Sequence, residues 1–228
     1  MAKVDDKIKN FYLEIKEDKK TVDKYYKNHM INSNSRLALI GGSGTGKTQF
    51  LLNFLDRVGP KFYEIYIYTT DTEEKLLSLL KSKIPESVIT NNIDDIPPIA
   101  DFSEDKKNDK LVVFDDFITL NSKQMKKLED YAIAGRKYGF TSIYMAQNYR
   151  QIPKNITRNL NYIVLFKLND NTTLRSILFN HNIHDISKEK LKHFYNIATM
   201  NKFNFLLLDL NPENKNIAYR HNFLNILH

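Results

Sequence analysis

The sequence predicts an α/β fold: a mainly parallel central sheet flanked by helices and closed by a C-terminal antiparallel hairpin. Three observations carry that expectation. Short apolar runs of strand length alternate with longer stretches of helical periodicity over residues 36–167, the pattern of repeated strand–helix units. A glycine-rich segment, Gly41 to Gly46, separates the first apolar run from the first helical stretch. Two late runs, Phe203 to Asp209 and Ile217 to Phe223, flank Asn211-Pro212-Glu213-Asn214-Lys215-Asn216, whose composition suits the turn of a hairpin.

Taken in order, residues 1–30 read as an N-terminal helical extension and residues 31–228 as one domain. Ile8, Phe11, Tyr12, Ile15, Val22, Tyr25 and Tyr26 fall largely on one helical face. Leu37-Ala38-Leu39-Ile40 is a buried strand, Thr48 to Val58 a helix stopped by Gly59-Pro60, and Glu64 to Thr69 a second strand. Thr70-Asp71-Thr72-Glu73 has the form of a capping box for a helix through about Lys83. Residues 85–110, with Pro85, Pro97, Pro98 and a charge cluster, read as mostly loop. Leu111 to Phe114 is a third strand, and Asn121 with Gln124 caps a helix from about Ser122 to Lys137. Thr141 to Ala146 and Asn161 to Lys167 are the fourth and fifth strands, followed by helices near 172–181 and 187–197.

Composition narrows the class. A chain of 228 residues with 42% hydrophobic and 12% aromatic content buries roughly 70–75% of its unfolded surface and is not a disordered polymer. The absence of cysteine removes disulfides, zinc ribbons, iron–sulfur clusters and thiol nucleophiles. The six histidines are scattered without metal-ligand spacing. The N-terminus mixes charge with apolar residues, unlike a signal peptide, and no run reaches the ~18–20 apolar residues of a membrane span. A net charge of +7 favours polyanionic partners, although an Asn-, Lys- and Ile-rich coding bias explains the same balance.

The chemistry concentrates in Gly41-Gly42-Ser43-Gly44-Thr45-Gly46-Lys47-Thr48, a full match to the phosphate-binding loop pattern, placed between a strand and a helix as its mechanism requires. Its glycines let successive backbone N–H groups face phosphate oxygens, and the helix beginning near Lys47 adds its positive end. We expect Gly42 through Gln49 to hold the phosphates of ATP, Lys47 to reach the β- and γ-phosphates and the Thr48 hydroxyl to ligate Mg2+. The third strand then delivers Asp115 and Asp116 at its C-terminal end. Asp115 is the expected Mg2+ partner through water, and Asp116 the candidate base for the attacking water. Gln147 ends the fourth strand, which is expected to lie between the two motif strands. Its amide can donate to a phosphate and accept from water.

These elements, with Gly135-Arg136-Lys137-Tyr138-Gly139 ahead of the fourth strand and Arg158 to Ile163 leading into the fifth, resemble one family. The sequence is similar to the FtsK/HerA superfamily of P-loop ATPases, of the RecA-like, additional-strand type, and specifically to poxvirus-type DNA-packaging ATPases of large DNA viruses and virophages. The resemblance covers about residues 35–222. Asp115-Asp116 departs from the Asp-Glu usual in cellular pumps of the superfamily, which leaves the Asp116 assignment less constrained than that of Asp115.

The resemblance implies an ATPase that translocates double-stranded DNA into a capsid, working as a homo-oligomeric ring, a pentamer or hexamer, with capsid or portal proteins as partners. It implies an intracellular place at the site of virus assembly and no membrane. A neighbouring subunit would supply an arginine to each site, Arg136 first and Arg158 second. Tyr149, Arg150 and Lys154, just beyond Gln147, are candidates for contact with DNA phosphates, a solvated loop being the competing reading. Small P-loop kinases, assembly factors and other DNA-remodelling ATPases share the loop. The pairing of Asp115-Asp116 with Gln147 favours hydrolysis, and a chain of this size leaves little room for a strand-separating module.

Overall fold

A computed structural model describes residues 23–104, 109–168, 172–181 and 186–228. Among the described residues nine strands form a single sheet. In chain order they are β1 (Arg36–Ile40), β2 (Glu64–Tyr68), β3 (Val88–Thr90), β4 (Lys110–Asp115), β5 (Phe140–Ala146), β6 (Tyr162–Leu165), β7 (Leu206–Asp209), β8 (Tyr219–His221) and β9 (Asn225–Ile226). Across the sheet the order is β3-β2-β4-β5-β1-β6-β7-β8-β9. The first six are parallel and the last three attach antiparallel beyond β6.

Helices cover both faces. They are α1 (Tyr26–His29), α2 (Lys47–Val58), α3 (Lys75–Lys83), α4 (Ser122–Ala134), α5 (Lys154–Thr157), α6 (Thr172–Asn180) and α7 (Lys188–Ala198). Because side chains alternate along a strand, β1 sends Leu37 and Leu39 to one face and Ala38 and Ile40 to the other. The first pair packs with Phe50, Leu51 and Phe54 of α2, and with Leu77 and Leu80 of α3. The second packs with Leu128, Tyr131 and Ala132 of α4 and with Leu191 and Phe194 of α7. Both faces being covered explains why the parallel strands read as continuous apolar runs rather than as alternating ones.

Several expectations meet their physical limits here. The expected helical extension over residues 1–30 lies mostly outside the described residues; of its described part, Tyr26–His29 is helical. The stretch 85–110 is not all loop, because Val88–Thr90 pairs with β2 from Tyr66↔Val88 to Tyr68↔Thr90. Three residues are too few to show a period. Thr70 does not cap α3. Its hydroxyl turns instead to Asp116 Oδ2, and Asp71 Oδ1 accepts the Glu73 N–H, so the helix starts at Lys75. The Asn121/Gln124 capping box does form, and α4 tightens into a 3-10 turn over Gly135–Tyr138. The closing hairpin is shorter than its apolar runs and is extended by β9.

The sheet's far side is tied to the start of the described chain. Arg220 is fully buried on β8, and its Nη1 donates to the carbonyls of Met30 and Phe223 at 2.8 and 3.2 Å. His29 is equally buried. Its Nδ1 accepts the Ile31 N–H at 3.0 Å and its ring meets Tyr26 and Phe54 edge-on.

Candidate nucleotide-binding site

At the C-terminal edge of the parallel strands, β1 ends at Ile40 and the chain turns through residues 41–46 before α2 begins at Lys47. No side chain caps α2, so its first N–H groups and the loop above them are available to an anion. Gly41 is required by closeness: a Cβ there would stand 2.6 Å from Thr45 Oγ1 and 2.7 Å from Phe166 Cβ. Gly46, with φ 118°, is required by conformation. The Thr45 hydroxyl fixes the turn by donating to the Gly42 carbonyl at 2.8 Å.

Lys47 folds back over the loop and donates to the carbonyls of Gly41 and Gly42 at 2.8 and 3.1 Å. Burial lowers its pKa, opposed by the carboxylates of Asp115, Asp116 and Glu74. Two neutral acceptors are a weak match for an ammonium, so exchange for phosphate oxygens is favourable.

The strand order puts β5 between β4 and β1, as expected from the sequence, and so places Asp115 one strand beyond β5. Burial raises the Asp115 carboxyl to about 6, with Lys47 pulling it down and Asp116 and Glu74 pushing it up. Asp116 takes the left-handed conformation, φ 48°, which turns its side chain out of the strand direction toward Thr70, 3.1 Å away. Gln147 is exposed directly after β5. The Gly41 N–H donates to the preceding carbonyl, Ala146 O, at 3.1 Å, so Gln147 emerges beside the start of the phosphate loop.

The sequence pointed past one member of this group. Glu74 precedes α3, and rather than capping it sends its carboxylate to the Thr48 hydroxyl at 3.1 Å. Nothing in its local sequence marks it, since its role depends on β2 lying beside β4. Among the described residues no three His, Asp or Glu side chains converge as a metal cluster. Mg2+ nevertheless fits: the Thr48 hydroxyl and a partly buried Asp115 carboxylate offer hard oxygen donors, and nucleotide phosphates supply the rest.

The remaining predicted residues lie elsewhere. Tyr149 is buried, 3% exposed, with its hydroxyl 2.7 Å from His181 Nε2, so it supports the loop and does not present a ring to DNA. Its apolar body belongs to the core, which a lone aromatic in a polar stretch conceals. Arg150 and Lys154 are exposed, Arg150 Nε reaching Ser176 Oγ at 3.3 Å. Arg136 and Arg158 are exposed where β5 and β6 begin, at the edge opposite the phosphate loop, so neither serves its own chain's site. Arg36 lies with them, its Nε donating to Asn159 O at 2.8 Å and its charge opposed by that of Arg136.

The model of the family described as Poxvirus A32 protein matches residues 22–208, most of the chain. The chain belongs to that family. No curated protein matches it by sequence. In fold it is similar to the genome packaging NTPase B204 of Sulfolobus turreted icosahedral virus 2. The structure with ATP-γ-S shows 17% identity and a TM-score of 0.56 over 85% of this chain and 98% of that one. The structure with sulfate gives a TM-score of 0.58, also at 17% identity, over 79% and 94%. ATPases 2 and 3 of EssC from Geobacillus thermodenitrificans match at 16% identity and a TM-score of 0.50, covering 79% of this chain and 41% of that one. The chain thus shares its fold with B204.

Proposed function

We propose that this chain is the ATP-hydrolysing motor that drives double-stranded DNA into a viral capsid. The observation that carries it is the convergence of Lys47, Thr48, Asp115, Asp116 and Gln147 at one sheet edge, in a chain of the A32 family whose fold matches a protein described as a genome packaging NTPase.

The phosphate loop binds the triphosphate, and Lys47 leaves the Gly41 and Gly42 carbonyls for the β- and γ-phosphates. Thr48, and Asp115 through water, would hold Mg2+, which when bound would neutralise charge on those phosphates. Gln147 orients a water, Asp116 takes its proton, and the water oxygen bonds to the γ-phosphorus as the bond to the bridging oxygen breaks, leaving ADP and phosphate. A ring completes the site: Arg136 of one subunit, with Arg158 as its alternate, faces the transferring phosphoryl group of the next. Gln147 is joined to the loop carrying Arg150 and Lys154 through Gln151, whose Oε1 accepts the Gln147 and Asn148 N–H groups at 3.1 and 2.9 Å. Loss of the γ-phosphate is thereby passed to the residues that track the DNA backbone.

The test is steady-state ATP hydrolysis with and without long double-stranded DNA at low and moderate salt, beside Asp116→Ala and Arg136→Ala. DNA stimulation that both variants lose while still binding nucleotide is expected. Hydrolysis indifferent to DNA at every protein concentration, or phosphate transferred to an added nucleoside monophosphate, overturns the motor reading.

A further inference from the structure

The phosphate loop accounts for the triphosphate but leaves the nucleoside without a partner. Its direction follows from the topology. Asp115 and Gln147 mark the γ-phosphate end and lie on the β4 and β5 side of β1, so the nucleoside must extend the other way, toward β6 and β7. Strand β7 runs antiparallel to β6, with Leu206 opposite Leu165. The residues just before β7 therefore sit at the same sheet edge as the phosphate loop, on its nucleoside side.

Phe203 stands there. A Cβ on Gly46 would lie 3.1 Å from its Cδ1 and 3.2 Å from its Cα, so the residue is packed directly against the last glycine of the loop. It is nonetheless 49% exposed, and it belongs to neither core cluster, unlike its neighbour Phe205. Its φ of 70° is an outlier for a bulky side chain. The residues that follow it are pinned by a polar frame: the Phe205 N–H donates to Asn222 Oδ1 at 3.1 Å, Asn222 Nδ2 to Asn204 Oδ1 at 3.3 Å, and Asn204 Nδ2 meets His221 Nε2 at 3.0 Å. A strained aromatic half in solvent beside such a frame is not explained by core packing. Lys202 Nζ lies 4.9 Å from the ring centroid, adding a cation beside the ring.

We propose that Phe203 is the platform on which the base of the bound nucleotide stacks. The inference rests on the nucleotide-binding reading above and adds the ligand's other half. A benzene ring offers a face and no hydrogen bond, so the subsite takes a planar base by area, holding ATP and GTP alike within a few-fold.

The probes are ATP, ADP and inorganic tripolyphosphate, which occupies the loop without a base. Phe203→Asn keeps a residue that tolerates φ > 0. We expect it to weaken ATP and ADP by about 5-fold or more, the low end of the range for stacking, to leave tripolyphosphate unchanged, and to melt no lower than wild type. The chain contains no tryptophan, so Phe203→Trp introduces a single reporter whose emission ATP and ADP should quench and tripolyphosphate should not. ATP affinity of Phe203→Asn within twofold of wild type overturns the proposal. So does a parallel loss of ATP and tripolyphosphate, or a tryptophan response common to both. If wild type binds neither ATP nor tripolyphosphate, the phosphate-loop reading itself fails, a result distinct from losing the base contact alone.

Discussion

The Thr48 hydroxyl donates to Glu74 Oε2 at 3.1 Å, joining the first turn of α2 to the start of α3. With its proton directed at Glu74, the threonine oxygen keeps its lone pairs for a cation, so on the proposed function Glu74 would act on Mg2+ through Thr48. Glu74→Ala should raise the Mg2+ concentration needed for tight nucleotide binding by about 10-fold, the low end of the range for residues that orient a ligand. Its nucleotide affinity in EDTA should stay unchanged. A fluorescent-nucleotide titration across Mg2+ concentrations measures both.

Two loop glycines should respond oppositely to substitution. Gly41→Ala drives a methyl into Thr45 and the Phe166 side chain and should cost roughly 1–3 kcal/mol, with nucleotide binding lost as the turn shifts. Gly44 has φ +70° and nothing within 4 Å of an added Cβ, so Gly44→Asn should leave the fold within about 1 kcal/mol of wild type. Urea unfolding of the two variants side by side decides it.

Acid sensitivity should centre on His29. Burial lowers its pKa to about 4; Asp23, 3.5 Å away, opposes the effect, while Lys61 and Arg220 reinforce it. Because the folded pKa lies below the unfolded one, His29 contributes stability that is complete above pH 6.5 and is lost as pH falls toward 4. Between pH 7 and 5 the loss is roughly 2 kcal/mol. His29→Asn keeps an acceptor for the Ile31 N–H but does not titrate. It should be less stable at pH 7.5, where the contacts to Tyr26 and Phe54 are missing, yet show a much flatter decline to pH 5 in chemical denaturation.

On the proposed mechanism, Gln147 and Asp116 serve turnover and not binding. Both Gln147→Ala and Asp116→Asn should retain nucleotide affinity within a few-fold while the turnover number falls by about 100-fold or more. Pre-steady-state phosphate release, with equilibrium binding beside it, separates the two effects.

What sequence could and could not disclose follows from the reach of each signal. The phosphate loop, Asp115-Asp116 and the Asn121 cap are local patterns whose chemistry is complete within eight residues, and each appears where expected. The position of β5 between β4 and β1 was legible through the paired motifs. Glu74 and Phe203 were not, because each becomes significant only through a partner 26 or more residues away: Thr48 for the first, Gly46 for the second. β3 escaped because three residues cannot display an alternation, and Tyr149 because its burial depends on His181.

The central position of β1 has a kinetic consequence. Among the described strands the first in sequence, β1, pairs with β5 and β6, so Leu37 to Ile40 wait for more than a hundred further residues before either hydrogen-bonding edge is satisfied. Arg220 then closes a span of 190 residues onto Met30. Such non-local pairing slows the search for the native state and leaves an apolar, β-prone segment uncovered during synthesis. The phosphate loop, hung on the end of that strand, is translated before β5 and β6 and can acquire its shape only once they pair with β1.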